Sequence, residues 1–358
     1  MRRILFDLRA DCRALYHQLE LEYEMVPLAP KATLYADVPL LDTVAWRHGG
    51  QTYTLDEGEM VARHWPAVSA AVAFVQALDP APVAAVFWNT VLPGHAAAAL
   101  ACHARGIPVF EINHNRLETP LVGHFEIHAA ADYLVGGIGA ADNRRQLNGN
   151  AINLDFGQPG YDNWLPRDRA TIREDLGLPL DRKYILKTAT WTHNYSVWSN
   201  PGLHAQGENI ILAVLAELQT REDYSLIWTT RGKVDQELVG EHLVAAGFDH
   251  ERVFITDDTP IQDLVDAADV VFSHRSGVAI DGLMSERPAL MFDVRPMLQD
   301  DGERGIWTAK EPDTASQILQ EMLLNPDPFI KQQKIYRKYW GGVYNAGEKL
   351  VDFIGELA

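Results

Sequence analysis

The turn Ser273–Gly277, with the sequence SHRSG, carries the most informative group of polar residues in this sequence. An apolar segment typical of a buried strand, Val270–Ser273, leads into it, and a segment with helical spacing follows. Backbone N–H groups at a helix start, the Ser276 hydroxyl and the Arg275 guanidinium together suit the oxygens of a phosphate or diphosphate. Gly277 would let a ligand approach the backbone closely. The turn predicts an anion site, with an ordinary helix cap as the alternative.

Two further residues of this window extend the predicted site. Asp281 lies one turn along the predicted helix, where its carboxylate would accept hydrogen bonds from ribose hydroxyls. His274 lies in the turn itself and is a further candidate for contact with the ligand. Together these residues predict a nucleotide site in the C-terminal half.

Polar residues also follow two other predicted strands of this half. Thr190 comes after the strand Lys183–Thr188, and its hydroxyl suits a diphosphate without adding charge. Arg231 and Lys233, separated by a glycine, come after the strand Ser225–Thr229. Paired cations near a strand end indicate anion binding, and a solvated loop explains them equally well.

A second group of polar residues follows strands of the N-terminal half. His114 comes just after the predicted strand Pro108–Ile112, and His95 follows the strand Ala84–Trp88. A neutral imidazole there can remove a proton from an attacking hydroxyl, so each histidine is a candidate general base. A hydrogen-bonded surface histidine is the alternative for each. The neighbouring residues that we assign to acceptor binding are Asn89, Thr90, Asn113 and Arg116.

These residues need a scaffold of alternating strands and helices. Short apolar segments alternate with helical segments in both halves, which predicts an α/β fold with doubly wound parallel sheets. Gly, Pro and Asp concentrate in Asn153–Arg169, which indicates a linker, and Pro328–Ala358 is predicted to be helical. We predict two Rossmann-like domains facing a central cleft, residues 1–162 and 163–335, followed by a tail of residues 336–358.

Composition limits the classes of function. The 358 residues include 31 Lys+Arg and 49 Asp+Glu, a formal net charge of −18, which argues against binding nucleic acid or anionic lipid mainly through charge. Cys12 and Cys102 are too few for a disulfide framework and lack zinc-site spacing. No apolar run reaches the ~20 residues of a membrane helix. We expect a soluble, cytoplasmic protein without a metal site.

The window from Thr259 to Asp293 resembles the C-terminal signature of two-domain GT-B glycosyltransferases, most closely of the CDP-glycerol glycerophosphotransferase-like type. The residues that match in register are Asp269, Ser276, Val278, Asp281 and Pro288. ILKTATW at 185–191 and LDFGQPGYD at 154–162 resemble two further segments of these enzymes. The resemblance implies that Ser276, Gly277 and Asp281 bind a nucleotide donor. It also implies that residues 336–358 cross back to the first domain.

A second resemblance is to nonhydrolysing UDP-GlcNAc 2-epimerases, which share this fold. It rests on the segment Arg105–Thr119 and on Arg9, which falls where these epimerases carry an arginine after the first strand. We place Arg9 with the acceptor-binding residues. The acidic residues expected of an epimerase are incomplete, because Asn113–Asn115 replaces an acidic segment and Asp281 stands alone where paired glutamates are usual.

The leading hypothesis is a glycosyltransferase that moves a sugar from a nucleotide-diphosphate sugar to a hydroxyl of a glycan, lipid-linked polymer or modified nucleobase. A sugar donor is favoured because His274 and Ala189 depart from the glycerophosphotransferase motifs. The resemblance implies a metal-independent reaction without a cofactor beyond this co-substrate, in which Arg231, Lys233 and Arg275 neutralise the leaving diphosphate. The net charge does not favour a DNA acceptor. The alternatives are glycerophosphate transfer, UDP-sugar 2-epimerisation and a non-catalytic nucleotide-binding scaffold.

Overall fold

The chain divides into two compact units, Met1–Asn163 with Lys338–Ala358, and Trp164–Arg337. The computed structural model describes residues 1–7, 13–28, 46–48, 51–53, 68–88, 93–112, 131–136, 151–188, 201–221, 224–230, 240–241, 243–274, 276–292, 305–341 and 345–357.

The first unit is built around a six-stranded sheet. Its elements up to the linker are β1 (Arg3–Asp7), α1 (Arg13–Glu22), β2 (Glu24–Pro27), β3 (Trp46–His48), β4 (Gln51–Tyr53), α2 (described over 68–77), β5 (Ala84–Phe87), α3 (Pro93–Ala104), β6 (Val109–Ile112), β7 (Tyr133–Val135) and β8 (Ile152–Leu154). The sheet has the order β2-β1-β5-β6-β7-β8 with parallel pairing. Strands β3 and β4 form a small antiparallel hairpin, which Gly49 and Gly50 between two short segments also predict.

The remaining elements form the second unit and the chain end. They are α4 (Arg169–Asp175), β9 (Lys183–Lys187), α5 (Pro201–Arg221), β10 (Tyr224–Thr229), β11 (Val253–Thr256), α6 (Ile261–Ala267), β12 (Val270–Ser273), α7 (Val278–Met284), β13 (Ala289–Phe292), β14 (Trp307–Ala309), α8 (Pro312–Leu324), α9 (Asp327–Gly341) and α10 (Ala346–Leu357). Their parallel sheet has the order β11-β10-β9-β12-β13-β14. This is the Rossmann order 3-2-1-4-5-6.

Helices pack on the sheets because the strands carry apolar side chains on both faces. In the first unit, Leu5 and Ala85 pack with α2 and α3 on one face, and Ile4 and Phe110 pack with α1 and α10 on the other. In the second unit, α5 and α8 cover the face that includes Phe272. Strands buried on both sides read as continuous apolar runs, which is why most of them were predictable.

The prediction of a linker over Asn153–Arg169 is wrong at its start, whereas the predicted helical tail is present. Asn153 and Leu154 belong to β8 instead of a linker, and Pro159–Tyr161 forms a 3₁₀ turn. Strand β8 gave a weak signal because it is short and Ile152 at its start is 56% exposed. The tail is two helices, α9 and α10, and Asn345 between them has a left-handed φ of 68° that interrupts helical geometry.

Two further elements differ from the prediction. The sequence predicts a helix over Asn209–Gln219, whereas α5 begins eight residues earlier at Pro201. Proline is well tolerated in the first turn of a helix. Strand β14 was not predicted, since its three residues WTA carry no clear pattern.

The linker carboxylate of Asp162 anchors the chain end to the first unit. Its two oxygens accept hydrogen bonds from the Ala346 and Gly347 N–H groups at 2.8 and 2.7 Å. These N–H groups lie in the first turn of α10 and have no partner inside the helix, so the carboxylate caps it. Burial raises the pKa of Asp162, and the two N–H groups act in the opposite direction. A side chain at Gly347 would overlap Gln18.

None of the helices in the described part of the chain is long and apolar enough to cross a lipid bilayer.

Helix α10 is expected to stabilise the first unit through Leu350 and Ile354, which are 0% and 1% exposed. Leu350→Ala should lower the free energy of unfolding by about 2–5 kcal/mol, because a buried cavity remains. Leu357 on the same helix is 44% exposed, and Leu357→Ala should change it by less than about 0.5 kcal/mol. Urea denaturation measures both. Equal, small effects would contradict this role of α10.

Candidate functional site

The strand order of the second sheet reverses between β9 and β12. The chain runs outward from β9 through β10 and β11, and then returns to β12 and continues to β13 and β14. Ligands of open α/β sheets bind beyond the carboxyl ends of the strands at such a reversal. Here those ends are Thr188 and Ser273, immediately beyond the register pair Lys187 and Phe272. The turn that contains His274 therefore starts at this point.

A row of hydroxyl side chains crosses this edge of the sheet. From β11 to β14 its hydroxyl residues are Thr256, Thr229, Thr188, Ser273 and Thr308, and Met291 of β13 lies between the last two. Residues that pair across parallel strands point to the same face, and so do residues i and i+2 of one strand. The row faces α7, because Gly282 of this helix lies against Val271, two residues before Ser273.

Three hydroxyls of this row are buried without a hydrogen-bond partner, and two of them, those of Thr188 and Ser273, lie at the reversal point. Thr188 is 2% exposed and Ser273 is 0% exposed, and neither hydroxyl makes a hydrogen bond. Leaving a buried hydroxyl unpaired costs about 1–3 kcal/mol. The hydroxyl of Thr256, by contrast, bonds to Asp258 at 3.1 Å and to Thr259 at 2.7 Å. The reversal point thus holds two adjacent hydroxyls that can form new hydrogen bonds.

Four predicted ligand contacts lie close to these hydroxyls in sequence. His274 and Asp281 are buried, at 2% and 6% exposure. The predicted helix cap is wrong, because Gly277 occupies the N-cap position of α7 and the Ser276 hydroxyl accepts only a long 3.4 Å bond from the Val278 N–H. A Cβ at Gly277 would meet nothing within 4 Å, so there is open space beside this backbone.

Lys187 is a buried cation that the sequence reasoning missed. It ends β9 and is 0% exposed, its Nζ donates to the Thr188 carbonyl at 2.7 Å, and it lies 4.8 Å from the centre of the Trp228 ring. Burying an ammonium group is costly, and the carbonyl and the aromatic face offset part of that cost. The available signal was a lysine at the end of the otherwise apolar run YIL.

A charged network holds the opposite edge of this sheet. Asp269, just before β12, accepts hydrogen bonds from the Tyr184 N–H at 2.7 Å and from Arg173 at 2.6 Å, and it pairs with Arg169. Burial is the main reason that the pKa of Arg287 is lowered to about 10, and repulsion from the positive charge of Arg169 is the next largest cause. The network fixes α4 and the start of β12. Asp269, which matches the resemblance in sequence, therefore has a structural role.

The first sheet has its own reversal point, between β1 and β5, and His95 lies there. Its Nε2 is 3.1 Å from Oδ2 of Asp7, the last residue of β1, and its ring is buried near Phe87. A carboxylate bonded to one ring nitrogen fixes the tautomer and orientation of the imidazole. The buried Glu111 points to the same face of the sheet as Asp7, because both residues pair with Phe87 of the strand between them. No pattern in the sequence indicates that Asp7 contacts His95.

No protein-family model and no curated protein matches this sequence. Solved structures do match. One described as a UDP-N-acetylglucosamine 2-epimerase from Listeria monocytogenes shows 15% identity over 98% of this chain and 94% of its own, with a TM-score of 0.66. S. aureus MnaA, solved with UDP, shows 14% identity over 99% and 96%, with a TM-score of 0.67. MurG of Acinetobacter baumannii shows 13% identity over 99% and 100%, with a TM-score of 0.55.

The chain has the GT-B fold. This confirms the predicted α/β class with two Rossmann-like domains. At such low identities the likeness shows the fold alone, and chemistry has to be argued from the residues of this GT-B chain.

Ten predicted site residues of this GT-B chain lie outside the described residues, and their roles stay predictions. They are Arg9, Asn89, Thr90, Asn113, His114, Arg116, Thr190, Arg231, Lys233 and Arg275. Of the described ones, His95 belongs to the first unit, and the others belong to the second. The others are His274, Ser276, Gly277 and Asp281.

The described residues provide neither a metal site nor a reactive thiol. No group of three or more His, Cys, Asp or Glu residues there could hold a metal ion. Cys102 is free and buried, and burial raises the pKa of its thiol to about 12. The thiolate is therefore scarcely populated at neutral pH, so Cys102 is no nucleophile.

Close packing of α7 on β12 depends on Gly282. A Cβ there would lie 3.0 Å from a Val271 methyl group, so Gly282→Val should overpack the site and lower the free energy of unfolding by about 1–3 kcal/mol. Gly277 has open space and a helical φ of −54°, so Gly277→Ala should stay within about 0.5 kcal/mol of the parent. Urea denaturation compares them, and an unaffected Gly282→Val protein would refute the close packing.

Proposed function

We propose that the protein is a glycosyltransferase that moves a sugar from a nucleotide-diphosphate sugar to an acceptor hydroxyl. The observation that carries this proposal is the buried pair of His95 and Asp7 at the carboxyl edge of the first sheet. Attack by a hydroxyl is faster when a base removes its proton. A histidine oriented by a carboxylate is well suited to that step.

In the proposed reaction, His95 acts as the general base. Its Nε2–H donates to Asp7, and Nδ1 is the ring nitrogen that takes up the acceptor proton. As the acceptor oxygen bonds to the anomeric carbon of the sugar, the bond from that carbon to the diphosphate oxygen breaks and its electron pair leaves with the nucleotide. Asp7 stabilises the imidazolium that forms.

The second unit supplies the donor site in this proposal. Its strand order and the unpaired hydroxyls of Thr188 and Ser273 put polar groups where open α/β sheets bind ligands. The S. aureus protein with this fold was solved with UDP, which supports a nucleotide here. His274, Ser276 and Gly277 would contact the diphosphate.

Charge and hydroxyl contacts complete the proposed donor site. Asp281 would accept hydrogen bonds from the ribose. The leaving diphosphate would be stabilised by cations, without a divalent metal ion. The cations assigned to this stabilisation are Arg231, Lys233 and Arg275, and Thr190 would contact the diphosphate through its hydroxyl without adding charge.

The first unit supplies the acceptor site in this proposal. The polar residues assigned to it are Arg9, Asn89, Thr90, Asn113 and Arg116. His114 competes with His95 for the role of base. The acceptor classes that fit are a glycan, a lipid-linked polymer and a modified nucleobase.

His95→Gln should lower the rate of nucleotide release from the productive donor by about 10²–10⁴-fold, the usual contribution of a general base. The assay offers a panel of nucleotide sugars with acceptors of the three classes. His103 is the matched control, because it lies on the same helix α3 and pairs with Asp132 at 3.1 Å, but its side chain is 64% exposed. His103→Gln should keep the parent rate.

Three outcomes separate the elements of this proposal. Release of nucleotide from no donor would overturn the transferase. Full activity of His95→Gln with loss of activity in His114→Gln would keep the transferase and move the base to His114. Equal losses in His95→Gln and His103→Gln would indicate a general effect of altering α3.

A second candidate, a UDP-sugar 2-epimerase, is favoured by the Listeria monocytogenes structure described as such an enzyme. The sequence weighs against it at Asn113–Asn115, where the expected acidic segment is replaced. Incubation with UDP-GlcNAc alone decides between the two. Formation of ManNAc or its nucleotide would establish the epimerase, and sugar transfer that requires an acceptor would establish the transferase.

A further inference from the structure

We propose that the hydroxyls of Thr188 and Ser273 bind phosphoryl oxygens of the donor diphosphate, and that they stay unpaired without the ligand although this lowers the stability of the fold. The inference rests on the proposed function, because it takes the second unit to be the nucleotide site. It assigns ligand contacts to two strand-end hydroxyls, of which the sequence placed Ser273 in the predicted anion-binding turn and did not single out Thr188.

The first argument is the pairing of buried hydroxyls. Folded proteins provide a partner for the large majority of buried polar side-chain atoms. Thr188 and Ser273 are 2% and 0% exposed and have none, whereas Thr256 in the same row bonds to both Asp258 and Thr259. Two unpaired hydroxyls side by side point to hydrogen bonds that form with a ligand.

The second argument is position. Thr188 and Ser273 are neighbours across β9 and β12, one residue beyond the pair Lys187 and Phe272, and they point to the same face. Adjacent strands lie about 4.8 Å apart, so both hydroxyls can reach oxygens of one phosphoryl group. The two strands flank the reversal of strand order, where open α/β sheets bind ligands.

The third argument is charge, and it favours an anionic oxygen over a neutral sugar hydroxyl. Lys187 is 0% exposed, and its ammonium lies 2.7 Å from the carbonyl of Thr188. The Lys187 side chain lies on the opposite face of the sheet from the two hydroxyls, but its ammonium reaches the Thr188 carbonyl at the same edge. A positive charge there, away from bulk water, attracts an anion more strongly than it would at the surface. Hydroxyl donors also form stronger hydrogen bonds with charged acceptors than with neutral ones.

The test compares Thr188→Val and Ser273→Ala with the parent protein in stability and in binding. Because each substitution removes an unpaired buried hydroxyl, the melting temperature without nucleotide should stay the same or rise. The affinity for UDP, or for whichever of UDP, CDP and GDP binds most tightly, should fall about tenfold in each variant. Calorimetric titration also measures inorganic pyrophosphate and the free nucleoside, and the nucleoside affinity should not change.

Thr308→Val is the matched control, because it removes another unpaired hydroxyl of the same row on β14, two strands from β12. Its nucleotide affinity should equal that of the parent. Unchanged affinity in Thr188→Val and Ser273→Ala, or an equal loss in Thr308→Val, would overturn the inference and leave the proposed function standing. A lower melting temperature with unchanged affinity would make the hydroxyls structural and also overturn it.

The remaining outcomes separate the two proposals. Pyrophosphate binding that these substitutions weaken, without binding of any nucleoside diphosphate, would keep the hydroxyl site and overturn the nucleotide donor. If the parent protein binds neither pyrophosphate nor a nucleoside diphosphate, both proposals are overturned.

Discussion

Hydrogen bonding between parallel strands is the constraint on which the rest of this molecule depends. Parallel pairing puts all carboxyl ends of a sheet at one edge. The helices that connect parallel strands pack on both faces of the sheet, so the strands between them are buried on both sides. In both units the polar residues argued to act therefore stand where apolar strands stop. Asp7, Thr188 and Ser273 each end a strand or follow it directly.

The two edges of the second sheet show how the chain divides its charges. At the amino edge, arginines and aspartates pair with each other around Asp269. At the carboxyl edge, neutral hydroxyls predominate in the described row, and the buried Lys187 donates a hydrogen bond to the Thr188 carbonyl. A chain with a net charge of −18 can thus present hydrogen-bond donors locally, and its overall acidity does not decide which small anions it accepts.

Most of the fold could be predicted because buried strands carry their own signal. Val270–Ser273 was predicted with the bounds that the structure has, since four buried residues in a row leave a continuous apolar run. Strands β8 and β14 could not be predicted, because three residues at or near an edge show neither periodicity nor a run. The break between α9 and α10 depends on the left-handed Asn345, which asparagine tolerates but does not require.

The candidate site was less predictable than the fold. Ser276, Gly277 and Asp281 were found because they share one short segment with a recognisable pattern. The contact of His95 with Asp7 joins residues far apart in sequence and exists only once β1 and β5 pair. Likewise, nothing in the sequence shows that the Thr188 and Ser273 hydroxyls lack partners, because that depends on what packs over them.

The return of the chain end to the first unit has a consequence for synthesis on the ribosome. The core of Met1–Asn163 is completed by Leu350 and Ile354, which are translated only after all of Trp164–Arg337. At roughly 5–20 residues per second, that interval lasts on the order of 10–30 s. During it, the apolar side chains of α1 that pack with Leu350 and Ile354 lack the cover of α10, so the half that is made first is the last to be finished.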